Sequence, residues 1–179
     1  KKSIATTRSF GTMLTELADI REAVVNHAVS CAAKLRRQKS CAIQLMVFIN
    51  TNGFRTDLPQ YSRSAAAKLT TASNNSTVLA KCAATLLESI FVPGYHYKKA
   101  GVVILQIIPQ NQVQLNLFDR TDIPKGHQLF EVVDRINNSY GAGTVKLAAQ
   151  GTARKWKLKQ EMVSKKYTTN WDDLLEIGK

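Results

Sequence analysis

Cys41-Ala42-Ile43-Gln44-Leu45-Met46-Val47-Phe48-Ile49-Asn50 is a nearly unbroken apolar run, too short and too rich in branched side chains for a helix. It reads as the central strand of a sheet. Upstream, Ser3 to Phe10 is short and rich in Thr and Ser with Ile4 and Phe10 as apolar anchors, the pattern of a strand with one solvated face. Gly11-Thr12 is expected to end that strand. Leu14, Leu17, Val24, Ala28, Cys31 and Leu35 then recur at helical spacing. Glu16 and Asp19 stand near the start of this helix and Lys34, Arg36, Arg37 and Lys39 near its end, the charge order a helix dipole favours.

Downstream of the central run, Asn52-Gly53 offers a turn and an irregular stretch continues through Pro59. From Tyr61 to Thr71 the chain alternates, with Ala65, Ala67 and Leu69 on one face and Ser64, Ala66, Lys68 and Thr70 on the other. Ser73-Asn74-Asn75-Ser76 supplies N-cap chemistry for a second helix carried by Val78, Leu79, Cys82, Ala83, Leu86, Leu87 and Ile90, and Pro93-Gly94 ends it. Tyr95 to Lys99 leads into a last strand, Gly101 to Ile108, stopped by Pro109. The order β-α-β-β-α-β specifies an α+β fold, in which a four-stranded, mainly antiparallel sheet carries two helices on one face. The other face stays free, and with outward Ser, Thr and Lys it suits nucleic acid.

Charge points the same way. The chain carries 25 Lys and Arg against 13 Asp and Glu. The excess is +9 up to Phe118 (14 basic, 5 acidic) and +3 from Asp119 onward (11 basic, 8 acidic), so the first two-thirds carries the field that draws a polyanion. Cys31, Cys41 and Cys82 are odd in number, lack metal-ligand spacing and sit in or beside apolar runs, so they read as buried thiols of a reducing, cytoplasmic compartment. His27, His96 and His127 are isolated, and no metal site is expected. No apolar stretch reaches the roughly 18 to 20 residues of a membrane span, so no membrane partner is expected. The chain opens Lys1-Lys2-Ser3-Ile4 without an initiator Met, as a piece of a longer polypeptide does.

Between Gln110 and Asp122, expected to be a tether, lies Gln114-Leu115-Asn116-Leu117-Phe118. It resembles the Q-L-x-L-F peptide by which bacterial polymerases and repair proteins dock on the sliding clamp. In that role Leu117 and Phe118 fill an apolar pocket, Leu115 reaches a neighbouring surface and the Gln114 amide fixes register. Further pieces join it in order: Ser9-Phe10-Gly11, then Ala33-Lys34-Leu35-Arg36, then Tyr97-Lys98-Lys99-Ala100-Gly101. Near the end come Trp156, Lys159, Glu161-Met162, Ser164 and Tyr167-Thr168-Thr169-Asn170-Trp171, which look like a W-x-x-K...S-x-x-Y-T-T-x-W signature. Together these resemble the little finger domain, clamp peptide and C-terminal tail of UmuC-type Y-family DNA polymerases, the DNA polymerase V class. Asn170 departs from that pattern, where a basic residue is expected.

The resemblance divides the chain into a little finger DNA-binding domain (1–109), a linker with the clamp peptide (110–122) and a small C-terminal α/β segment (123–179). It implies an error-prone translesion polymerase of SOS mutagenesis and DNA repair whose palm, fingers and thumb lie upstream, with magnesium held by palm carboxylates. The implied partners are primer-template DNA, the sliding clamp, the processed UmuD dimer and a RecA filament. No catalytic residue or cofactor is expected in this chain, since Asp19, Asp57 and Glu88 are scattered and two-metal phosphoryl transfer needs converging carboxylates.

Phosphate contacts are expected from Thr6, Arg8 and Ser9 on the first strand, Lys68 and Thr70 on the third, and Lys98 and Lys99 before the fourth. Arg55 and Arg63 come second; Arg36, Arg37 and Lys39 serve the helix end. In the C-terminal segment, Leu129, Val132, Val133 and Ile136 predict a helix with Phe130 in its core, Gly141-Ala142-Gly143 a turn, and Val145 to Ala148 a short strand. Trp156, Tyr167 and Trp171, interleaved with lysines, have two readings: contact with nucleic acid or a protein partner, or packing onto the polymerase itself. A second functional class is a stand-alone nucleic-acid-binding adaptor without polymerase activity. An upstream reading frame carrying palm carboxylates separates the two.

Overall fold

A computed structural model of the chain describes residues 2–114, 123–158 and 163–174. Four strands, β1 (Ile4–Leu14), β2 (Ser40–Thr51), β3 (Ser62–Ser73) and β4 (Tyr97–Pro109), alternate with α1 (Leu17–Arg37) and α2 (Ser76–Ile90), and α3 (Ile123–Tyr140) follows. The sheet order is β1-β4-β2-β3, and every neighbouring pair is antiparallel. β1 and β2 therefore run parallel on either side of β4, joined by α1, while β3 and β4 flank β2 and are joined by α2. Such crossovers are almost always right-handed. The two strand pairs point opposite ways and are displaced in opposite directions, so the same hand lands both helices on one face.

There they close the main core, with a smaller cluster of Val25, Ala80 and Ala84 between the two helices. Val24, Ala28, Cys31 and Leu35 from α1 and Leu79, Ala83 and Leu87 from α2 are fully buried with Leu45, Val47, Ile49, Val102 and Ile104 from the sheet. Each large apolar side chain withdrawn from water in this way is worth about 1.5–3 kcal/mol. Asn75 caps α2, its side-chain oxygen accepting from the amides of Thr77 at 2.8 Å and Val78 at 3.3 Å. Tyr97 is fully buried at the start of β4, and its hydroxyl donates to the Val92 carbonyl at 2.8 Å. Among the described residues, no helix is long and apolar enough to cross a membrane.

The structure corrects four local readings. Gly11-Thr12 does not end the first strand; the register slips between Ser9 and Leu14, and Leu14 is the strand's buried last residue, not the first of a helix. Lys98 and Lys99 lie within β4 and not before it. Val145 to Ala148 forms no strand; Ala148 instead begins a 3₁₀ turn, Ala148–Gln150. Gln110 is no tether: its amide donates to the Lys39 carbonyl at 3.0 Å, its side chain accepts from Asn74 at 3.2 Å and meets the His127 ring at 2.7 Å.

Candidate nucleic-acid interface

Strand alternation sorts the predicted phosphate contacts. Ile4 and Phe10 are buried under the helices, so even-numbered residues between them face the same way. Thr6 is one of these: its hydroxyl accepts from the Lys34 ammonium at 2.9 Å and contacts the Cys31 thiol at 3.3 Å. Arg8 pairs with buried Ala100 and therefore also belongs to the helix side, at an exposed edge. Ser9 is on the opposite, open face. The grouping of Thr6, Arg8 and Ser9 on one surface is thus corrected, since consecutive residues of a strand cannot share a face.

Across the open face the register builds successive rungs. Ser9, Lys99, Asn50 and Ser62 form one, Thr7, Gly101, Phe48 and Ser64 the next, and Ala5, Val103, Met46 and Ala66 the third. Beyond them Gln44 stands beside Gln106 and Lys68, with exposed Thr70 two residues further along β3. None of these residues is acidic. Two polar rims, one with Lys99 and one with Lys68, border a central band of small and apolar side chains. The Ser62 hydroxyl donates to the Asn50 side chain at 3.0 Å, and the Lys99 ammonium sits 6.0 Å from the Phe48 ring centroid. The Phe48 ring rests against β4 where Gly101 has no side chain; a Cβ there would stand 2.5 Å from Phe48 Cε1 and 2.5 Å from Thr7 Cγ2. Lys98 instead turns onto β1, donating to the Phe10 carbonyl at 2.6 Å.

Ser9, Lys68, Thr70 and Lys99 are therefore brought together, and Thr6, Arg8 and Lys98 are not. Sequence reasoning put Ser64 on the outward face without naming it as a contact, and missed Thr7, Gln44, Phe48, Asn50 and Ser62 on the same surface. Counting alternate residues from the Ile4 and Phe10 anchors identifies Thr7, the shared parity of Gln44 and Asn50 marks the wetter face of the central strand, and the place of Phe48 beside Gly101 follows from the register.

Of the clamp-like peptide, Gln114 is exposed, and Leu115, Leu117 and Phe118 lie outside the described residues. The C-terminal elements pack on the helix layer. Arg36, with a side chain only 6% exposed, forks onto Asp134 of α3 at 2.7 and 2.8 Å, donates to the Asn74 carbonyl and Ser76 hydroxyl, and stacks on buried Phe130. The Asn26 side chain donates to the Gln150 carbonyl at 2.7 Å and accepts from the Gln150 side-chain nitrogen at 3.0 Å. The Glu22 carboxylate accepts from the Arg154 amide at 2.9 Å and the Trp156 indole at 3.0 Å. Gly151, with φ of 62°, passes so close that a Cβ would overlap that carboxylate.

Trp156 packs against the core and meets His27 edge-on, so of its two readings the structure shows intramolecular packing; Tyr167 and Trp171 are exposed. His27 Nε2 is buried without a hydrogen-bond partner among the described residues, and burial, with Arg8 and Lys34 nearby, pushes its pKa down to about 4. All three thiols are free; Cys31 and Cys41 are buried, Cys82 is half-buried, and burial raises each pKa, Cys41 to about 11. Among the described residues no three His, Cys, Asp or Glu side chains stand close enough to share a metal ion.

Residues 1–117 match the impB/mucB/samB family C-terminal domain, and residues 127–177 match a domain of unknown function, DUF4113. The chain is similar to Protein UmuC of Salmonella typhimurium strain LT2, 36% identical over 99% of this chain and 42% of that protein. It is 35% identical to Protein ImpB of Salmonella typhimurium over 97% of this chain and 41% of that protein. It is 33% identical to Protein MucB of Escherichia coli over 96% of this chain; the 40% of MucB covered shows that the chain spans about two fifths of such relatives. The solved insertion ternary complex of Dbh DNA polymerase is similar at a TM-score of 0.45 and 11% identity, over 60% of this chain and 29% of that one, too slight a likeness to bear on fold or function. With residues 1–117 fitting the family's domain and the identity to UmuC extending through the tail, the chain belongs to the impB/mucB/samB family and carries its C-terminal domain.

Proposed function

We propose that the chain is the DNA-holding and clamp-recruiting C-terminal part of an error-prone translesion DNA polymerase of the UmuC type, acting in SOS mutagenesis and DNA repair. The observation that carries the reading is the open sheet face, where Lys68 and Lys99 stand among hydroxyl and amide side chains and none of the rung residues is acidic. Such a surface tracks phosphates irrespective of base sequence: hydroxyls hold backbone oxygens, and lysines displace counterions. Family membership supports the polymerase assignment, and Gln114 to Phe118 supports docking on the sliding clamp. Nucleotidyl transfer and its magnesium belong, on this reading, to palm carboxylates outside the chain. The processed UmuD dimer and a RecA filament are candidate partners of exposed Tyr167 and Trp171.

The test has two arms. Primer-template DNA titrated at rising salt should bind with little sequence preference and with an affinity that falls steeply; salt-insensitive or strongly sequence-specific binding overturns the phosphate-tracking reading. In calorimetry, Leu117→Ala with Phe118→Ala should abolish binding to purified clamp and leave the thermal melt unchanged. Failure of the wild-type chain to bind clamp removes that half.

A further inference from the structure

The connection between β2 and β3 carries a phenylalanine that no described residue covers. Phe54 is 98% exposed. Yet its loop is held firmly. The Asn52 side-chain oxygen accepts from the Phe54 amide at 3.2 Å, and the Arg55 amide donates to the Asn52 carbonyl at 3.0 Å. Gln60 folds back across the loop, its side-chain nitrogen donating to the carbonyls of Arg55 at 2.7 Å and Leu58 at 3.0 Å, while its oxygen accepts from the Thr51 hydroxyl at 2.7 Å. At the base, the Tyr61 hydroxyl donates to the Ile90 carbonyl at 2.7 Å. With the loop backbone held in this way, covering the ring costs only the freedom of its own two side-chain torsions, which is the property of a binding anchor.

Location and charge identify the occupant. The loop leaves the sheet next to the Ser9, Lys99, Asn50 and Ser62 rung, which puts exposed Phe54 at the lysine-bearing end of the sheet. The loop's one carboxylate, Asp57, is forked by Arg55 at 2.6 and 2.7 Å, which holds its pKa down at about 2, and Arg63 is exposed at the root. The tip thus opposes a polyanion with no free negative charge. We propose that Phe54 stacks on an unpaired base of a nucleic acid strand running off the open sheet face. The inference rests on the DNA-binding reading and adds to it a flat apolar contact that phosphate tracking lacks. A phenyl ring meets a base face to face only where that base is not already stacked within a duplex, so the substrate class is a duplex with a single-stranded extension.

The experiment is fluorescence anisotropy with the full chain and two labelled DNAs, a blunt duplex and the same duplex carrying a single-stranded template overhang. Phe54→Ala should weaken binding to the overhang DNA about tenfold and to the blunt duplex by less than about twofold, with the salt slope unchanged because no ion is released by stacking. Phe54→Tyr, which keeps the ring, should bind as the wild type does. Unchanged binding of Phe54→Ala to the overhang DNA overturns the stacking role while leaving the DNA-binding reading intact, as does an equal loss on both DNAs or a Phe54→Tyr variant as weak as Phe54→Ala. A wild-type chain that binds neither DNA overturns both.

Discussion

Replacing Arg36 by Met keeps an aliphatic stem on Phe130 and removes the guanidinium that joins α3 to the sheet domain. Four hydrogen bonds go with it, two to Asp134 and one each to the Asn74 carbonyl and the Ser76 hydroxyl. Breaking one side of a buried ion pair typically costs about 3–5 kcal/mol. Asp134 keeps 28% of its side chain exposed and regains water when released, so the expected loss falls at or just below the bottom of that range, about 2–3 kcal/mol. For a chain of this size that lowers the melting temperature by about 5–10 °C. Asp134→Ala should cost about 1–2 kcal/mol, because Arg36 keeps its other two partners, and the double variant should show about 1–2 kcal/mol of coupling. Thermal unfolding followed by circular dichroism supplies all four melts, and limited proteolysis of Arg36→Met should cut within α3 before the sheet domain. A melt for Arg36→Met within about 1 °C of the wild type, or no coupling between the two positions, would refute the claim that this pair holds α3 in place.

The buried histidine and the glycine under Phe48 give two further expectations. His27 titrates near 4 in the folded chain against 6.5 unfolded, so the unfolded state binds more protons between those values. Stability is then complete above about pH 6.5 and falls toward pH 4 by up to about 3 kcal/mol, a slope that melts of His27→Leu across the same range should lack. Gly101→Ala pushes a methyl group into Phe48 and Thr7 and should cost about 1–3 kcal/mol by chemical denaturation. In a Phe48→Ala background that cost should drop by about half, because one of the two obstructing side chains is gone; an unchanged cost would show that the ring does not rest on the glycine.

The order of elements was legible in the sequence because each carries a strong local signal: the apolar run from Cys41, the helical spacing from Leu17 to Leu35, and the Asn75 cap. The first strand's end was misread because glycine and threonine beside each other resemble a break, whereas the sheet absorbs them as a slip in register. The site was half legible. Lys68, Thr70 and Ser9 are visible as outward residues of alternating strands, whereas Thr6 and Arg8 have phosphate-binding chemistry but share the parity of buried Ile4. Phe48 is hidden because it is as apolar as the buried odd-numbered side chains of the central strand, and only Gln44 and Asn50, which share its parity, mark that face as the wetter one. Nothing local announces the seat of the C-terminal segment, since Arg36 and Asp134 are 98 residues apart. A Glu22 carboxylate on a helix is likewise indistinguishable from a solvated one until Trp156 reaches it.

DNA lies on the open sheet face in this account, and cations on the helix side add only a distant, screened field. The most direct measurement is the salt dependence of primer-template binding for two charge-matched variants, Lys68→Ala with Lys99→Ala and Arg8→Ala with Arg37→Ala. The first pair should weaken binding to every sequence alike and reduce the slope of log affinity against log salt by about two, one for each phosphate that no longer meets a lysine, while the second leaves the slope at the wild-type value. A slope that falls for Arg8 and Arg37 and holds for Lys68 and Lys99 would place the DNA against the helices and contradict the account.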